Sequence, residues 1–409
     1  MKKILLSAYA CSPYKGSEFC VGWSWASGLA KKGFEVWCVT NIEDYEECEE
    51  EKRNLNLNNL HFVPIRISSL IDKYWLDNNK KAIYIHYFLW KLKASRAVKK
   101  LHLQHNFDVA QHVSYGSFQQ GSSLYKLTDC KVIFGPVGGG QMSLPIFKPY
   151  YGSSWKIEKI RKLVSNYLVN YGRALNETLK KADVVLTVNQ ETEDLLKTSK
   201  NYKVGSSFGI SDSALPVQFE SNKFIDRIPK EEFRILWVGR FLPRRGLELS
   251  LKAISFLPDD VSYKLIIIGD GEQGGNLPQW IEEYDLNTEK IEHLGWIPYE
   301  QMHEEYRKAD IMLFCPLRDT AGLQATEAMG FSLPIITMNI SGMRTIVSDE
   351  CGVKIDPTTT DGTAIDIAKA IEHMYYDLDY RKKAARVAYE RAMKYTWDCK
   401  INEVVSRFY

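Results

Sequence analysis

Two carboxylates, Asp319 and Glu327, and two guanidinium groups, Arg240 and Arg245, are the side chains whose types and spacing most suggest chemistry on one shared ligand. A carboxylate accepts two hydrogen bonds at once and so suits a vicinal diol. A guanidinium binds phosphate oxygens bidentately, and a departing diphosphate needs its growing negative charge neutralised. Each residue also has an ordinary structural explanation when taken singly. Asp319 could be a helix N-cap, Glu327 a solvated charge, and the arginines plain surface cations. His112, at the end of the run DVAQHVS, adds a group that can carry or accept a proton, although single histidines are more often structural.

The elements that must position these groups follow from hydrophobic pattern. FCPLRDTAGLQATEAMGFSLPIIT, Phe314 to Thr337, predicts a buried strand, a polar loop, a helix from about Gly322, a break, and a second strand. Both acids therefore bracket a helix start beyond a strand's carboxyl end, where open α/β sheets bind ligands and free N–H groups favour anions. FRILWVGRFLPRRGLELSLKAI predicts a strand, a basic loop with Arg240 and Arg245 at its two ends, and a helix from about Gly246. The amino-terminal segment repeats the pattern: a strand over Lys3–Ala10, a loop containing Gly16, a helix closed by Gly33, and the strand EVWCVT. Gly16 is the glycine there that could let backbone approach a phosphate. KVIFGPVGGG ends in Gly138, Gly139 and Gly140, a run that implies close approach to a ligand or to another backbone.

Composition fits this α/β reading. At 409 residues the chain accommodates two domains, and 45% hydrophobic with 25% charged residues is ordinary for globular proteins. A net charge of +2 gives no reason to expect nucleic-acid binding. Eight scattered cysteines without a CxxC pair fit a reduced, cytoplasmic protein, and no zinc site is expected. The opening apolar run is too short for a signal peptide, and no window reaches a membrane-spanning length. Two segments, Lys73–Lys100 and Lys148–Lys181, interleave basic and aromatic residues at helical spacing. Most of their apolar side chains are expected to pack inward, leaving part of the surface to meet an anionic membrane.

A literal GxGxxG, with Gly269 and Gly271 at its start, follows the strand KLIII. It lies deep in the second half, and Pro278 delays the next helix, so it reads as a glycine turn lining a cleft and not as a nicotinamide cofactor site. Asp377-Leu378-Asp379 lies between helices, far from any glycine loop, and no metal is expected there.

The acid pair, the Ala328-Met329-Gly330 run with its Pro-Ile-Ile-Thr strand, the GPVGGG loop and the arginine loop together resemble retaining glycosyltransferases of family four. The resemblance covers nearly the whole chain. It implies two Rossmann-like domains facing each other across a cleft, the GT-B architecture, with the carboxy-terminal helix crossing back to the first domain. The expected domains are 1–210 on the acceptor side, joined by 396–409, and 211–395 for the nucleotide-sugar, with a linker near Gly209–Lys223. In that picture Glu327 holds the ribose diol, Arg240 and Arg245 the diphosphate, and Asp319 with the N–H groups of Gly322 and Leu323 the sugar hydroxyls. Trp296 and Ile297, after the strand IEHLG, lie near the base, and His112 and the Gly16 loop complete the site from the first domain. Two positions depart from the family pattern: Asp319 stands where Glu is usual, and Arg245 where Lys is usual.

The activity so implied is metal-independent, retaining transfer of a hexose from a nucleotide-diphosphate sugar to a glycan, lipid-linked or polysaccharide-precursor acceptor. No cofactor is called for, and the location would be cytoplasmic or peripheral on the inner membrane face. A nucleotide-sugar 2-epimerase of the same fold and a non-catalytic sugar-nucleotide binding protein are the competing readings.

Overall fold

The computed structural model describes the 409-residue chain apart from residues 17, 78–82, 204, 213, 216–218, 220–222 and 228–231. Part of the expected linker at Gly209–Lys223 falls outside the described residues, as do Lys80 and Lys81 of the first basic segment.

The chain divides into two compact units. In the first, β1 (Lys3–Ala8), β2 (Glu35–Asn41), β3 (Leu60–Ile65), β4 (Val109–Ser114), β5 (Lys131–Val137), β6 (Val184–Thr187) and β7 (Ser207–Gly209) form one sheet. Their order is β3-β2-β1-β4-β5-β6-β7, and every neighbouring pair is parallel. In the second unit β8 (Phe233–Val238), β9 (Tyr263–Ile268), β10 (Ile291–Gly295), β11 (Ile311–Leu313), β12 (Ile335–Met338) and β13 (Gly352–Ile355) make a parallel sheet in the order β10-β9-β8-β11-β12-β13. Helices cover both faces of such sheets, so central strands are apolar throughout: β11 and β12 are buried at every residue. Both units have the doubly wound order of Rossmann-like folds. The winding reverses between β1 and β4 in the first unit and between β8 and β11 in the second, and ligands of open α/β sheets bind at the strand ends beside such a reversal.

The observed boundaries differ from the expected ones. The first unit comprises Met1–Gly140, Lys162–Ser213 and Trp397–Tyr409, while the second comprises Gln141–Arg161 and Ala214–Thr396. Residues 141–161 leave the first unit because Phe147, Tyr150 and Tyr151 are buried in one cluster with Trp237 and Phe241. The closing helix, Trp397–Phe408, packs on the helix Glu18–Lys31: the Trp25 and Trp397 rings lie 6.3 Å apart.

The basic-aromatic segments pack inward less than expected: Trp75, Tyr87, Trp90, Tyr150 and Tyr151 are buried, but Tyr74, Ile157, Ile160, Leu163 and Tyr167 are exposed. On the helix Ile83–His105 the buried positions Tyr87, Trp90, Lys91, Ala94, Ser95 and Val98 recur at helical spacing. Tyr84, Ile85 and Phe88 on the same helix stay exposed. Among the described residues no helix is long and apolar enough to cross a membrane.

Candidate active site

The two loops at the winding reversal of the second sheet are built against each other. After β8 the chain passes through Arg240 to Arg245 and turns at Gly246; after β11 it passes through Phe314 to Gly322. Gly246 has φ +71°, and a Cβ there would come within 2.1 Å of the Cys315 carbonyl oxygen, so only glycine allows the loops this close. Leu317 N–H donates to the Arg244 carbonyl at 2.9 Å, which ties them together.

This contact brings Arg245 and Asp319 together: Arg245 Nη1 donates to Asp319 Oδ2 at 2.6 Å, with both side chains largely buried. Asp319 Oδ1 accepts from the Thr320 N–H at 2.7 Å. Asp319 is thus engaged through both oxygens, and its first partner is a guanidinium where a sugar hydroxyl was expected. Arg240 is exposed, while Arg244, between them in sequence, is depressed by burial and by the positive charges of Arg245 and Arg240. Three cations therefore crowd one loop, a concentration of positive charge suited to a polyanion.

Residues 141–161 brace the same loop. Gln141 Nε2 donates to Thr320 Oγ1 at 2.7 Å, and Arg318 Nη2 pairs with Glu158 Oε1 at 3.1 Å. Sequence reasoning missed these contacts, and Arg244 with them. The signal available was the three-residue cluster Pro243-Arg244-Arg245; nothing in the spacing of Gln141 or Glu158 points across so much chain.

Glu327 lies on the helix Leu323–Gly330 and faces the helix Tyr299–Lys308. Tyr299 Oη donates to its Oε1 at 3.0 Å and Tyr306 Oη to its Oε2 at 3.4 Å. Burial outweighs both hydrogen bonds and pushes the Glu327 carboxyl up to about 7. Gly322, at φ +64°, precedes this helix, so the N–H of Leu323 belongs to its unsatisfied first turn. Trp296 and Ile297 follow β10 at the sheet edge, with Trp296 79% exposed.

The glycine turns serve chain packing. A Cβ on Gly269 would fall 1.9 Å from the Gly239 carbonyl oxygen and one on Gly271 2.8 Å from that of Phe241, so these glycines let the turn after β9 touch the turn after β8. In the first unit Gly138 N–H donates to the Gly116 carbonyl, Gly139 lies over Phe118, and Gly140 abuts the backbone of Thr192. Of the two readings of the Gly138–Gly140 run, the tight neighbours are other backbone. Gly16 is exposed with open space around its Cα.

His112, on β4 at the winding reversal of the first sheet, is fully buried. Its Nε2 lies 3.0 Å from the Tyr115 carbonyl oxygen, which can only accept, so that nitrogen carries the proton. Nδ1 is buried without a hydrogen-bond partner among the described residues. Burial holds the imidazole down to about 4, which leaves it neutral at pH 7 with Nδ1 as an acceptor. Nearby, Glu18 accepts from the Gly116 N–H at 2.8 Å and is pushed up to about 7 by desolvation. Glu18 also escaped sequence reasoning, because a Glu in a first helical turn looks like dipole compensation. Asp377 has a plain role: it caps the helix Leu378–Ala392 by accepting from Tyr380 N–H.

Comparison with known proteins agrees with this architecture. Residues 218–391 match the family described as glycosyl transferases group 1. A D-inositol 3-phosphate glycosyltransferase from Paenarthrobacter aurescens is 26% identical over 173 residues, 41% of each chain. The match therefore spans less than half the length of that curated relative. Among solved structures, the sucrose-phosphate synthase of Thermosynechococcus elongatus superposes with a TM-score of 0.66 at 17% identity, covering 99% of this chain and 98% of that one. Anabaena Alr3699/HepE in complex with UDP superposes with a TM-score of 0.61 at 13% identity, covering 99% of this chain and 98% of that one. These structural likenesses are likenesses of fold. Taken with two doubly wound parallel sheets, they give the chain a GT-B-type fold, whose residues 218–391 carry the match to the group 1 glycosyl transferases.

Proposed function

We propose that the chain is a retaining, metal-independent hexosyltransferase that uses a nucleotide-diphosphate sugar and a glycan or lipid-linked glycan-precursor acceptor. The observation that carries this reading is the pairing of a cationic loop (Arg240, Arg244, Arg245) with the Asp319 loop at the winding reversal of the second sheet. In this reading Arg240 and Arg245 take the diphosphate, and Asp319 holds the Arg245 guanidinium in place until phosphate oxygens compete for it. The Leu323 N–H and the positive end of its helix favour the same negative charge. Glu327 accepts from the ribose diol, with Tyr299 and Tyr306 fixing its rotamer. The base lies along the backbone after β10, at Trp296 and Ile297. A nucleotide-diphosphate donor is in keeping with the UDP held by Anabaena Alr3699/HepE.

For retention, the acceptor hydroxyl attacks the anomeric carbon from the side the leaving group departs, and the departing phosphate takes the hydroxyl proton. The arginines supply at the leaving oxygen the positive charge a divalent ion would otherwise provide. The exposed basic and aromatic residues of the first unit, Tyr84 and Phe88 among them, suit an acceptor presented at an anionic membrane surface. The test is sugar transfer from a panel of UDP-, GDP- and ADP-hexoses, with and without EDTA. Turnover of one donor that persists with EDTA and gives an anomerically retained product supports the reading. Complete loss restored by Mg²⁺ or Mn²⁺ refutes the metal-independent part, and epimerised donor without acceptor refutes transfer.

A further inference from the structure

The first unit contains a cavity of about 880 Å³, within the size range of small-ligand sites. Its walls are mostly apolar: Tyr84, Ile85, Phe88 and Leu92 from one helix, and Leu168 and Leu175 from the segment on its other side. Three of these, Tyr84, Ile85 and Phe88, are 56%, 64% and 45% exposed, an unusual cost for a helix that could have packed them inward. The same helix buries Tyr87 and Trp90 completely, so its outward aromatics are not the leftover of a weak hydrophobic pattern.

Charge around the cavity is asymmetric. Lys91, Lys126 and Arg173 line it, against one acid, Glu177, which is already paired with Lys180 at 3.0 Å. Lys91 is buried in the wall, with its ammonium donating to the Gln120 carbonyl and lying 5.5 Å from the Phe88 ring centre. Burial lowers it to about 8, so it is protonated at neutral pH and within reach of losing its charge. Lys126 and Arg173 stand exposed. An apolar slot rimmed by cations matches an amphiphile with an apolar chain and an anionic head.

One residue of the cavity wall also touches the first unit's polar cluster. Tyr84 meets the Tyr115 ring edge-on at 6.2 Å between centres, and the Tyr115 carbonyl receives the His112 N–H. Gln120 Nε2 bonds the Tyr84 carbonyl at 2.9 Å, fixing the first turn of the helix at the cavity wall.

We infer that this cavity binds the hydrocarbon chain of a phosphate-bearing lipid, with Phe88, Ile85 and Leu168 against the chain and Lys126 and Arg173 on the phosphate. The inference rests on the acceptor reading above and deepens it: the acceptor is lipid-linked, and one chain is drawn out of the bilayer into the protein.

The experiment is isothermal titration of the full chain with dodecyl phosphate, dodecanol and inorganic phosphate in separate arms, below micelle-forming concentrations and without a bilayer. Dodecyl phosphate is expected to saturate at one site and to bind at least tenfold more tightly than either other probe. Phe88→Glu and Ile85→Glu should each weaken it at least tenfold, whereas Leu70→Glu, at a residue 84% exposed outside the cavity, should leave it unchanged. Lys126→Ala with Arg173→Ala should weaken dodecyl phosphate and spare dodecanol. All these positions are exposed, so unchanged thermal unfolding and unchanged UDP affinity are expected and show that the variants are folded. No saturable dodecyl phosphate binding, or equal binding by Phe88→Glu, would overturn the inference. So would association with anionic vesicles alone that Leu70→Glu weakens as much as Phe88→Glu, which would assign the surface to general membrane contact. Lipid binding without any nucleotide binding would leave the cavity assignment standing and sink the donor reading.

Discussion

Arg245 and Asp319 lie 74 residues apart and meet at 2.6 Å in a largely buried ion pair that joins the two loops beside the winding reversal of the second sheet. A guanidinium so held is pre-oriented, and in the proposed donor reading the carboxylate that holds it is the group an incoming diphosphate displaces.

Arg245→Ala is expected to lower kcat by about 10²-fold or more, because the lost charge faces a leaving group whose negative charge grows in the transition state. An effect on KM alone would contradict that role. Asp319→Asn keeps the cation but loosens it, so its kcat should fall less, and a double-mutant cycle should show coupling of about 0.5 to 3 kcal/mol between the two positions. Additive effects would mean that Asp319 acts independently of Arg245.

Glu327 predicts a pH dependence with a definite sign. Its folded value, about 7, lies above the ordinary carboxyl value of 4.5, so the native state holds a proton that the unfolded chain releases as pH rises through that window. Glu327 therefore weakens stability progressively from about pH 4.5 to 7, and fully above it. Glu327→Gln should raise the unfolding midpoint relative to the parent more at pH 8 than at pH 5. The same substitution should weaken nucleotide binding by about 1 to 3 kcal/mol, read by calorimetry. Stability that follows the parent's pH profile would place the titration elsewhere.

His112 should act without titrating. With its imidazole held down to about 4, it stays neutral across the pH range of an ordinary assay. His112→Ala is expected to reduce kcat about tenfold or more through loss of the Nδ1 acceptor. The shape of the pH–rate profile between pH 5.5 and 8 should not change. Disappearance of an acid limb in the variant would show that His112 ionises there.

Gly246→Ala tests the loop junction. A methyl group would meet the Cys315 carbonyl at 2.1 Å in a backbone already at φ +71°, so destabilisation beyond about 1 kcal/mol is expected, measured by denaturant unfolding of the second unit's transition. Unchanged stability would mean that the loops part without penalty.

The sequence made the sheets, their alternation with helices and the chemically active loops legible, because buried parallel strands read as apolar runs and loop residues stand out by charge. The family resemblance named Arg240, Arg245, Asp319 and Glu327 from local motifs. What could not be read were the partners: Tyr299 and Tyr306 on Glu327, Glu158 on Arg318, and Glu18 on the Gly116 amide. Each lies on a different element from the group it contacts, so its role exists only once the helices have docked. The domain boundary failed for a similar reason. Phe147, Tyr150 and Tyr151 look like any amphipathic face, and only the packed core shows that they join Trp237 and Phe241.

The order of segments also bears on how the protein is made. Five stretches alternate between the units, 1–140, 141–161, 162–213, 214–396 and 397–409, and the last returns to the first unit. During translation the whole carboxy-terminal sheet leaves the ribosome before Trp397 and Ile401 arrive to seal the helix Glu18–Lys31. The first unit to be begun is therefore the second to be finished, and a nascent chain stalled before residue 397 would hold one complete lobe and one still open.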